Sequence, residues 1–423
     1  MPRRSFDRTA AIFGVLRNRD LRSLWFSDWI SDVGNFITAI ALAVYVNNLT
    51  GTATGVGVAL ALHSVPWFTI GPFAGVLVDR LDRRSVMITS CLCRAVLVGI
   101  LPFTHAAWQA YALSFAVALF GPLFQPARSA LLAQVAPEGR LVPALAVTET
   151  THQVLHMVGP AIGGLAVLLV GARQAFFLDA ASFVMAAAFL VTIRSRGRPV
   201  RERGTTLGDL RAGFRAIVRA PAVRTYAFLN AALSLGFAGV IALLVVYVRD
   251  VLGRPGGQFG LVLSVAGLGT VVTSLVIAAR DDRHSRTPWV VASVAGVGTF
   301  ALAWFEPSFL LLMPIAFAAG LADSGAGIPM SATIAEQLQD EVRGRANSVV
   351  DGLYELATAI GSLAFAWLGE PGRLGPAKAM AASAVTGSGL GVLVLLLGGA
   401  AAIARHEQGR LAARPAADRD RAS

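Results

Sequence analysis

Charged residues are scarce in this sequence. Of its 423 residues only 14% are Asp, Glu, Lys or Arg, whereas 55% are hydrophobic, and the mean hydropathy is +0.64. Because a soluble globular domain carries about 25% charged residues, this composition excludes that class. It indicates a chain that crosses the membrane many times.

Cysteine and the motifs of common hydrolases are also rare or missing. The two cysteines, Cys91 and Cys93, stand two residues apart and therefore on different faces of a helix, which excludes a disulfide between them and a shared metal. No G-x-x-x-x-G-K-[ST] loop and no H-E-x-x-H motif occurs, and no G-x-S-x-G sits on a strand-to-helix turn. We therefore predict neither enzyme activity, nor a cofactor, nor a metal. A membrane-embedded hydrolase that uses His152 and His156 is the remote alternative.

What the sequence has instead is a series of long apolar runs. About 20 such residues cross the roughly 30 Å hydrocarbon core of a bilayer as a helix. Runs of this kind lie near 21–46, 55–78, 86–106, 108–132, 142–170, 174–193, 225–248, 258–279, 288–305, 308–334, 346–369 and 379–403. We predict an all-α integral membrane fold with twelve transmembrane helices.

Positive charges gather in alternate loops. With the N-terminus placed inside, 30 Lys and Arg residues fall on the inner side and five on the outer side. Because inner loops carry the Lys and Arg excess, both termini are predicted to be cytoplasmic in a plasma (inner) membrane of bacterial type. The net charge of +11 is then explained by topology and by anionic lipid, and no nucleic-acid partner is expected.

A basic loop divides the chain into residues 1–193, 194–223 and 224–423. Apolar residues recur there every three to four positions while arginines follow every four, which predicts a short amphipathic helix ended by Pro221. Such a helix would lie on the inner leaflet with its arginines toward lipid phosphates. A solvated, disordered linker is the alternative. The residues concerned are Leu207, Leu210, Phe214 and Ile217, with Arg211, Arg215 and Arg219.

The stretch GVLVDRLDRRSVM places a dense group of charges between the second and third apolar runs. Its pattern, G-x-L-x-D-R-x-x-R-R, resembles the signature loop of the major facilitator superfamily. The matching residues are Gly75, Leu77, Asp79, Arg80, Arg83 and Arg84, with departures at Asp82 and Met87. The resemblance implies a conformational latch that favours the outward-open state. A purely topogenic role for the arginines is the plainer reading.

Further stretches resemble the enterobactin and macrolide exporter branch of that superfamily, which contains proton-coupled antiporters. They are LTGTATGVGVAL from Leu49, FQPARSALL from Phe124, AFFLDAASF from Ala175 and RGRANS from Arg343. The stretch GPAIGG is similar to the core of the antiporter motif at Gly159, Pro160, Gly163 and Gly164, although the preceding glycines of that motif are replaced by Ala146 and Leu155. Close helix packing alone would also explain it.

This resemblance implies two pseudo-symmetric six-helix bundles with a substrate site between them. It also implies a monomeric secondary transporter in contact with membrane lipid. Its expected activity is proton-coupled export of amphipathic small molecules, drug-like or siderophore-like. An uptake carrier or a lysolipid flippase of the same fold is the alternative.

Five titratable residues are candidates for proton coupling. Asp28 and Asp32 stand four apart on one face of the first helix, and Glu149, His152 and His156 form one stripe on the fifth. Two carboxylates in a poorly hydrated site do not both ionise cheaply, so one of them can hold a proton near neutral pH. Our hypothesis makes Asp32 the proton carrier and Asp28 its partner.

Other readings of these residues stay open. Asp28 could be hydrated near the cytoplasmic end, and the stripe on the fifth helix could be a packing cluster. Asp323, Asp351 and Glu355 are weaker candidates for coupling in the second half.

Two further charges fall inside apolar runs, Arg94 in the third and Asp179 in the sixth. An isolated charge at membrane depth costs at least about 2.5 kcal/mol, so each is expected to have an internal partner. In the superfamily these helices lie outside the central cavity. We therefore assign both charges to the fold and not to the substrate.

Overall fold

The computed structural model describes residues 14–78, 81–137, 139–194, 206–255, 258–279 and 286–412. Within them it contains α-helices and short 3-10 or π-helical turns, and no β-strand. The first half forms α1 Arg19–Thr50, α2 Ala53–Thr69, α3 Gly71–Val78, α4 Arg83–Ile100, α5 Ala107–Ala118, α6 Gly121–Val135, α7 Leu141–Val170 and α8 Ala172–Thr192. Next comes α9, Thr206–Arg219. The second half forms α10 Pro221–Val246, α11 Gln258–Ala279, α12 Thr287–Thr299, α13 Phe309–Gln337, α14 Asp340–Leu368, α15 Pro376–Val394 and α16 Ala400–Ala412.

The lengths of these segments confirm the all-α membrane fold. Ten helical spans in the described residues are long and apolar enough to cross a membrane, and Val158–Val170 is a shorter apolar segment within α7. The remaining predicted run, 55–78, corresponds to α2 together with α3. Each of the twelve predicted runs therefore coincides with helical structure.

Two of the runs that were predicted to form one continuous helix each are divided into two helices in the structure. The breaks come before Gly71–Pro72, which starts α3, and before Gly121–Pro122, which starts α6. Proline has no amide hydrogen and its ring collides with the carbonyl four residues earlier, so a helix ends more easily ahead of it. The same dipeptide at Gly159–Pro160 leaves α7 continuous. Tertiary context thus decides whether the helix breaks.

Polar residues set the beginnings of several helices. The side chains of Asn18, Thr52 and Asp82 each accept a hydrogen bond from a backbone amide in the first turn of α1, α2 and α4. These bonds satisfy amide groups that have no partner within the helix. Asp82 is one of the two residues that depart from the signature loop, and its role as a cap explains why a carboxylate fits there.

The two halves repeat each other in detail. The Tyr45 hydroxyl donates to the carbonyl of Thr104 at 2.7 Å, 59 residues away. In the second half the Tyr247 hydroxyl donates to the carbonyl of Pro307 at 2.9 Å, 60 residues away. Each tyrosine lies in the last part of the first span of its half and binds the loop after the third span, as expected for bundles that share one topology.

One end of the helix bundle contains the start of α1 and the helix α9, and we call this end the linker face. The other end is the opposite face. The halves meet along α2 with α14 and along α7 with α11. A Cβ atom added to Gly57 would lie 2.5 Å from the carbonyl oxygen of Ser362, and one added to Gly164 would lie 2.4 Å from the Cα of Gly260. Only glycine permits backbones this close, so these positions fix the interface.

Polar contacts also join the halves at the opposite face. The Glu370 carboxylate accepts a hydrogen bond from the Thr54 amide at 2.8 Å, at the N-terminus of α2. The Arg249 guanidinium donates to the Asn47 carbonyl at 3.2 Å and to the Asn48 side chain at 3.1 Å, at the C-terminus of α1. An anion at a helix N-terminus and a cation at a C-terminus are both favourable. These pairs link the two halves at the opposite face.

Candidate functional site

Helix α1 presents both of its interior carboxylates to one cleft. Asp28 and Asp32 line it one turn apart, with walls from α6 and α7, and its cavity volume is about 10 Å³, room for about one water molecule. The other lining residues are Trp25, Trp29, Arg128, Thr148, Thr151, His152 and Leu155. All of the lining residues belong to the first half.

Asp28 is paired with an arginine. The Oδ2 atom of Asp28 lies 2.7 Å from Nε of Arg128 on α6, and both side chains are buried, with exposures of 9% and 13%. Arg128 also donates to Gln125 at 3.0 Å. Asp28 is therefore not a hydrated residue near the helix end. Arg128 is one of the 30 Lys and Arg residues that were assigned from the sequence to the inner side, between the fourth and fifth spans, whereas the structure places it inside the bundle, where its charge is balanced.

Asp32 is paired with a histidine. Its Oδ2 atom lies 3.0 Å from Nδ1 of His152 on α7, and the two side chains are about one quarter exposed. Both pairs line the cleft, and the side chains of the Asp32–His152 pair are more exposed than those of the Asp28–Arg128 pair.

Aromatic side chains form a wall beside these charges. The rings of Trp25 and Trp29 stack with centroids 6.3 Å apart, and the Trp25 indole donates to the Thr151 hydroxyl at 2.9 Å. Trp29 is 40% exposed. The sequence reading missed this wall and Arg128. A signal for Arg128 was present, because an arginine within an apolar run needs an internal partner.

The other coupling candidates are placed differently. Glu149 is exposed, although it stands one turn from His152. In the second half Asp351 is exposed and Glu355 is half-buried on α14, and Glu355 interacts with the Ser64 hydroxyl on α2. The side chains of His156 and Asp323 lie outside the described part of the structure. Asp32 and His152 are thus the candidate pair that the structure brings together.

Comparison with known proteins agrees with this architecture. Residues 10–414 match the family described as transmembrane secretion effector, a family of major facilitator superfamily transporters. The chain belongs to this family. It is not an enzyme family.

Relatives and solved structures extend the comparison. The chain is 25% identical to the MFS-type transporter YfiS of Bacillus subtilis (strain 168), over 82% of this chain and 86% of that protein. It is 26% identical to the multidrug efflux pump Tap of Mycolicibacterium fortuitum, over 68% and 74%. A bacterial homologue of the human lysosomal transporter Spinster has the same fold, with a TM-score of 0.70, 13% identity and coverage of 90% and 95%.

The signature loop of this transporter is only partly described. Asp79 and Arg80 lie outside the described residues, and Gly75 lies in α3. Arg83 is buried at the start of α4. Arg84 donates to the carbonyls of Leu190 at 2.9 Å and Val191 at 2.6 Å, at the C-terminus of α8. In this state Arg84 therefore ties two helices of the first half together.

The glycines of GPAIGG form helix contacts on two sides of α7. A Cβ atom at Gly159 would lie 2.2 Å from the ring of Phe36, and one at Gly163 would lie 2.5 Å from the Phe36 carbonyl oxygen, both on α1. Gly164 meets Gly260 of the second half. The helix continues through Pro160. This motif brings α7 close both to the helix that carries Asp32 and to the other bundle.

Arg94 and Asp179 lie in a separate cluster. Arg94 is 8% exposed and Asp179 1%. Arg94 donates to the side chain of Asn35, and its guanidinium lies 4.2 Å from the ring centroid of Phe183. Asp179 accepts from the Ser182 hydroxyl at 3.0 Å. These polar and aromatic neighbours are the internal partners expected for such charges.

Both cysteines of the transporter are free thiols, with Cys91 buried and Cys93 partly buried. Within the described residues, no group of three or more His, Cys, Asp or Glu side chains is arranged to hold a metal ion.

Proposed function

We propose that this transporter is a proton-coupled exporter of amphipathic small molecules that works by alternating access. The observation that carries the proposal is the Asp32–His152 pair, 3.0 Å apart, in a cleft beside exposed Trp29. A carboxylate–histidine pair beside an exposed indole places a proton site next to a surface that an apolar group can contact. The multidrug efflux pump Tap is a relative whose name fits this activity.

Burial distinguishes the two carboxylates of α1. Protonation of Asp28 would leave Arg128 as a buried and unpaired charge, which costs about 3–5 kcal/mol when one partner of a buried pair is removed. Asp32 lies 3.0 Å from His152, and both side chains are about one quarter exposed, so a proton bound by this pair leaves no fixed charge without its partner. We therefore assign the proton to the Asp32–His152 pair and a fixed charge to the Asp28–Arg128 pair.

Alternating access requires two moving bodies. We propose residues 1–193 and 224–423, connected by 194–223, with the linker face in the cytoplasm because the Lys and Arg excess falls there. The contacts of Glu370 and Arg249 join the two halves at the opposite face, so a movement that opens this face must break them. Proton binding at the cleft and substrate binding would then shift the balance between the two states.

The direction of transport decides between this proposal and an uptake carrier or a lysolipid flippase. Everted membrane vesicles should accumulate an exported compound when a proton gradient, acidic inside, is imposed, and an uncoupler should abolish this accumulation. The compound is found by comparing accumulation in cells with and without the gene. Uptake by whole cells that depends on the protein, with no accumulation in everted vesicles, would contradict export.

A further inference from the structure

Helix α9 packs on the second half at the boundary of a membrane span. A Cβ atom on Gly213 would lie 2.6 Å from the carbonyl oxygen of Arg345 in α14, and Ile217 is buried against the same half. Only Ala220 separates α9 from α10, and the span from Pro221 begins at once. The position of α9 is therefore fixed at the level where hydrocarbon gives way to headgroups.

A hydrogen bond holds the corner between these helices. Arg224, in the first turn of α10, donates to the carbonyl of Val218 at 3.4 Å. This carbonyl belongs to the last turn of α9, where helix carbonyls have no partner within the helix. With α14 on one side and α10 directly after it, α9 has a defined orientation to the membrane.

The rest of the α9 surface has two sectors. Phe214 and Val218, four residues apart, are 59% and 42% exposed. Arg211, Arg215 and Arg219 are exposed as well, and at 100° per residue they occupy the sector beside these apolar side chains. The helix thus has a protein-facing stripe, an exposed apolar stripe and an arginine stripe.

We propose that this surface, formed by Phe214, Val218, Arg211, Arg215 and Arg219, is a docking site for anionic phospholipid. The apolar stripe contacts acyl chains and the arginines bind the phosphate groups of the adjacent leaflet. A lipid is the ligand class that satisfies both stripes at once, because α9 leads directly into a membrane span. A nucleic acid or free phosphate would use only the arginines and would leave Phe214 exposed to water.

Bound lipid would also act on the transport machinery through α14. The helix that α9 contacts at Arg345 carries Asp351 and Glu355 and meets α2 of the first half. Helix α9 also touches α3, at the linker face of the first half. Anionic lipid that holds α9 in place therefore constrains both halves at this face.

The binding test uses purified full-length protein in detergent. Phosphatidylglycerol, phosphatidylcholine or inorganic phosphate is titrated, and the thermal midpoint is followed, because a ligand of the native state raises it. We expect stabilisation by phosphatidylglycerol alone. In R211Q/R215Q/R219Q the half-effective concentration should rise at least about tenfold, since each basic residue near an anionic surface contributes about 1 kcal/mol, roughly fivefold in binding. The charge-matched control R211K/R215K/R219K should stay within about threefold of the parent.

A second measurement does not depend on the arginine variants. A nitroxide at Val218→Cys, with Cys91 and Cys93 replaced by alanine, should report a depth below the phosphates in vesicles that contain phosphatidylglycerol. An equal half-effective concentration of phosphatidylglycerol for the parent and the glutamine variant would overturn the proposal. Stabilisation by inorganic phosphate equal to that by lipid, or a nitroxide as accessible to water-soluble relaxants as one in a loop, would overturn it as well.

Discussion

The two halves of this transporter share their packing and differ in what they bury. In the first half a Cβ atom on Gly34 would lie 2.0 Å from the Asp179 carboxylate and 2.1 Å from the Ser182 hydroxyl. At the matching contact of the second half, Gly236 lies against Gly387 and Ser383. The first span of each half thus approaches the sixth at a glycine. The contact in the first half contains the charged side chain of Asp179, whereas the contact in the second half contains the Ser383 hydroxyl and the backbone of Gly387.

This difference extends through the described interior. Asp28, Arg83, Arg94 and Asp179 are buried in the first half, whereas in the second half Glu407, near the linker face, is the charged residue among its buried polar side chains. The helix packing is therefore repeated in the two halves, whereas the buried charged residues are not. We conclude that glycines and tyrosines specify the repeated fold, and that the charges mark the half in which coupling chemistry is proposed.

The largest expected loss of stability follows from replacing Arg94. In Arg94→Ala the pairing with Asn35 and Phe183 disappears, and Asp179 is left in an interior with less positive charge. Removal of one buried charge partner costs about 3–5 kcal/mol. We expect most of the folded protein to be lost, measured as monodisperse yield and thermal midpoint, while the remaining protein transports normally.

Ser383→Ala is the matched change in the second half. It removes the hydrogen bond from Ser383 to the Gly236 carbonyl, 2.6 Å long, and a neutral bond of this kind contributes about 1 kcal/mol. Its midpoint should fall far less than that of Arg94→Ala. Stable but inactive Arg94→Ala would assign this arginine to transport and would remove the distinction between the two contacts.

A smaller loss of stability is expected when the ion pair between Asp28 and Arg128 is broken. Arg128→Gln leaves Asp28 without its cation, so the thermal midpoint should fall. The double variant Asp28→Asn with Arg128→Gln should recover much of that loss, because it leaves no unpaired charge. A double variant that is less stable than Arg128→Gln alone would show that the two residues act independently.

The smallest effect on stability is expected at the signature loop. Arg84→Gln removes a cation from the C-terminus of α8, which is worth about 0.3–1 kcal/mol. Turnover should fall more than protein level in this variant and in Arg83→Gln or Asp79→Asn. The control is Arg405→Gln, at an exposed arginine of α16. It should change neither the turnover nor the protein level. Transport like the parent's in all three loop variants would contradict a latch.

Sequence reasoning predicted the fold well and the site in part. Apolar runs predicted the spans because hydrocarbon thickness dictates helix length, and the spacing of four placed Asp28 and Asp32 on one face. Partners could not be predicted in the same way. The ion pair between Asp28 and Arg128 joins α1 to α6, and the pairing of Asp32 with His152 joins α1 to α7, so both depend on tertiary packing. The breaks before Gly71 and Gly121 also needed context, since Gly159–Pro160 does not break α7.

The central claim, that Asp32 with His152 carries the coupled proton, has one direct test. Purified protein in weakly buffered detergent is mixed with the exported compound, and the protons released per bound molecule are counted for the parent, Asp32→Asn and the second-half control Asp351→Asn. We predict that Asp32→Asn folds and binds but releases no proton, while Asp351→Asn releases the parent's number. If Asp32→Asn releases the parent's number while it binds substrate, the assignment is contradicted and Glu149 becomes the leading residue.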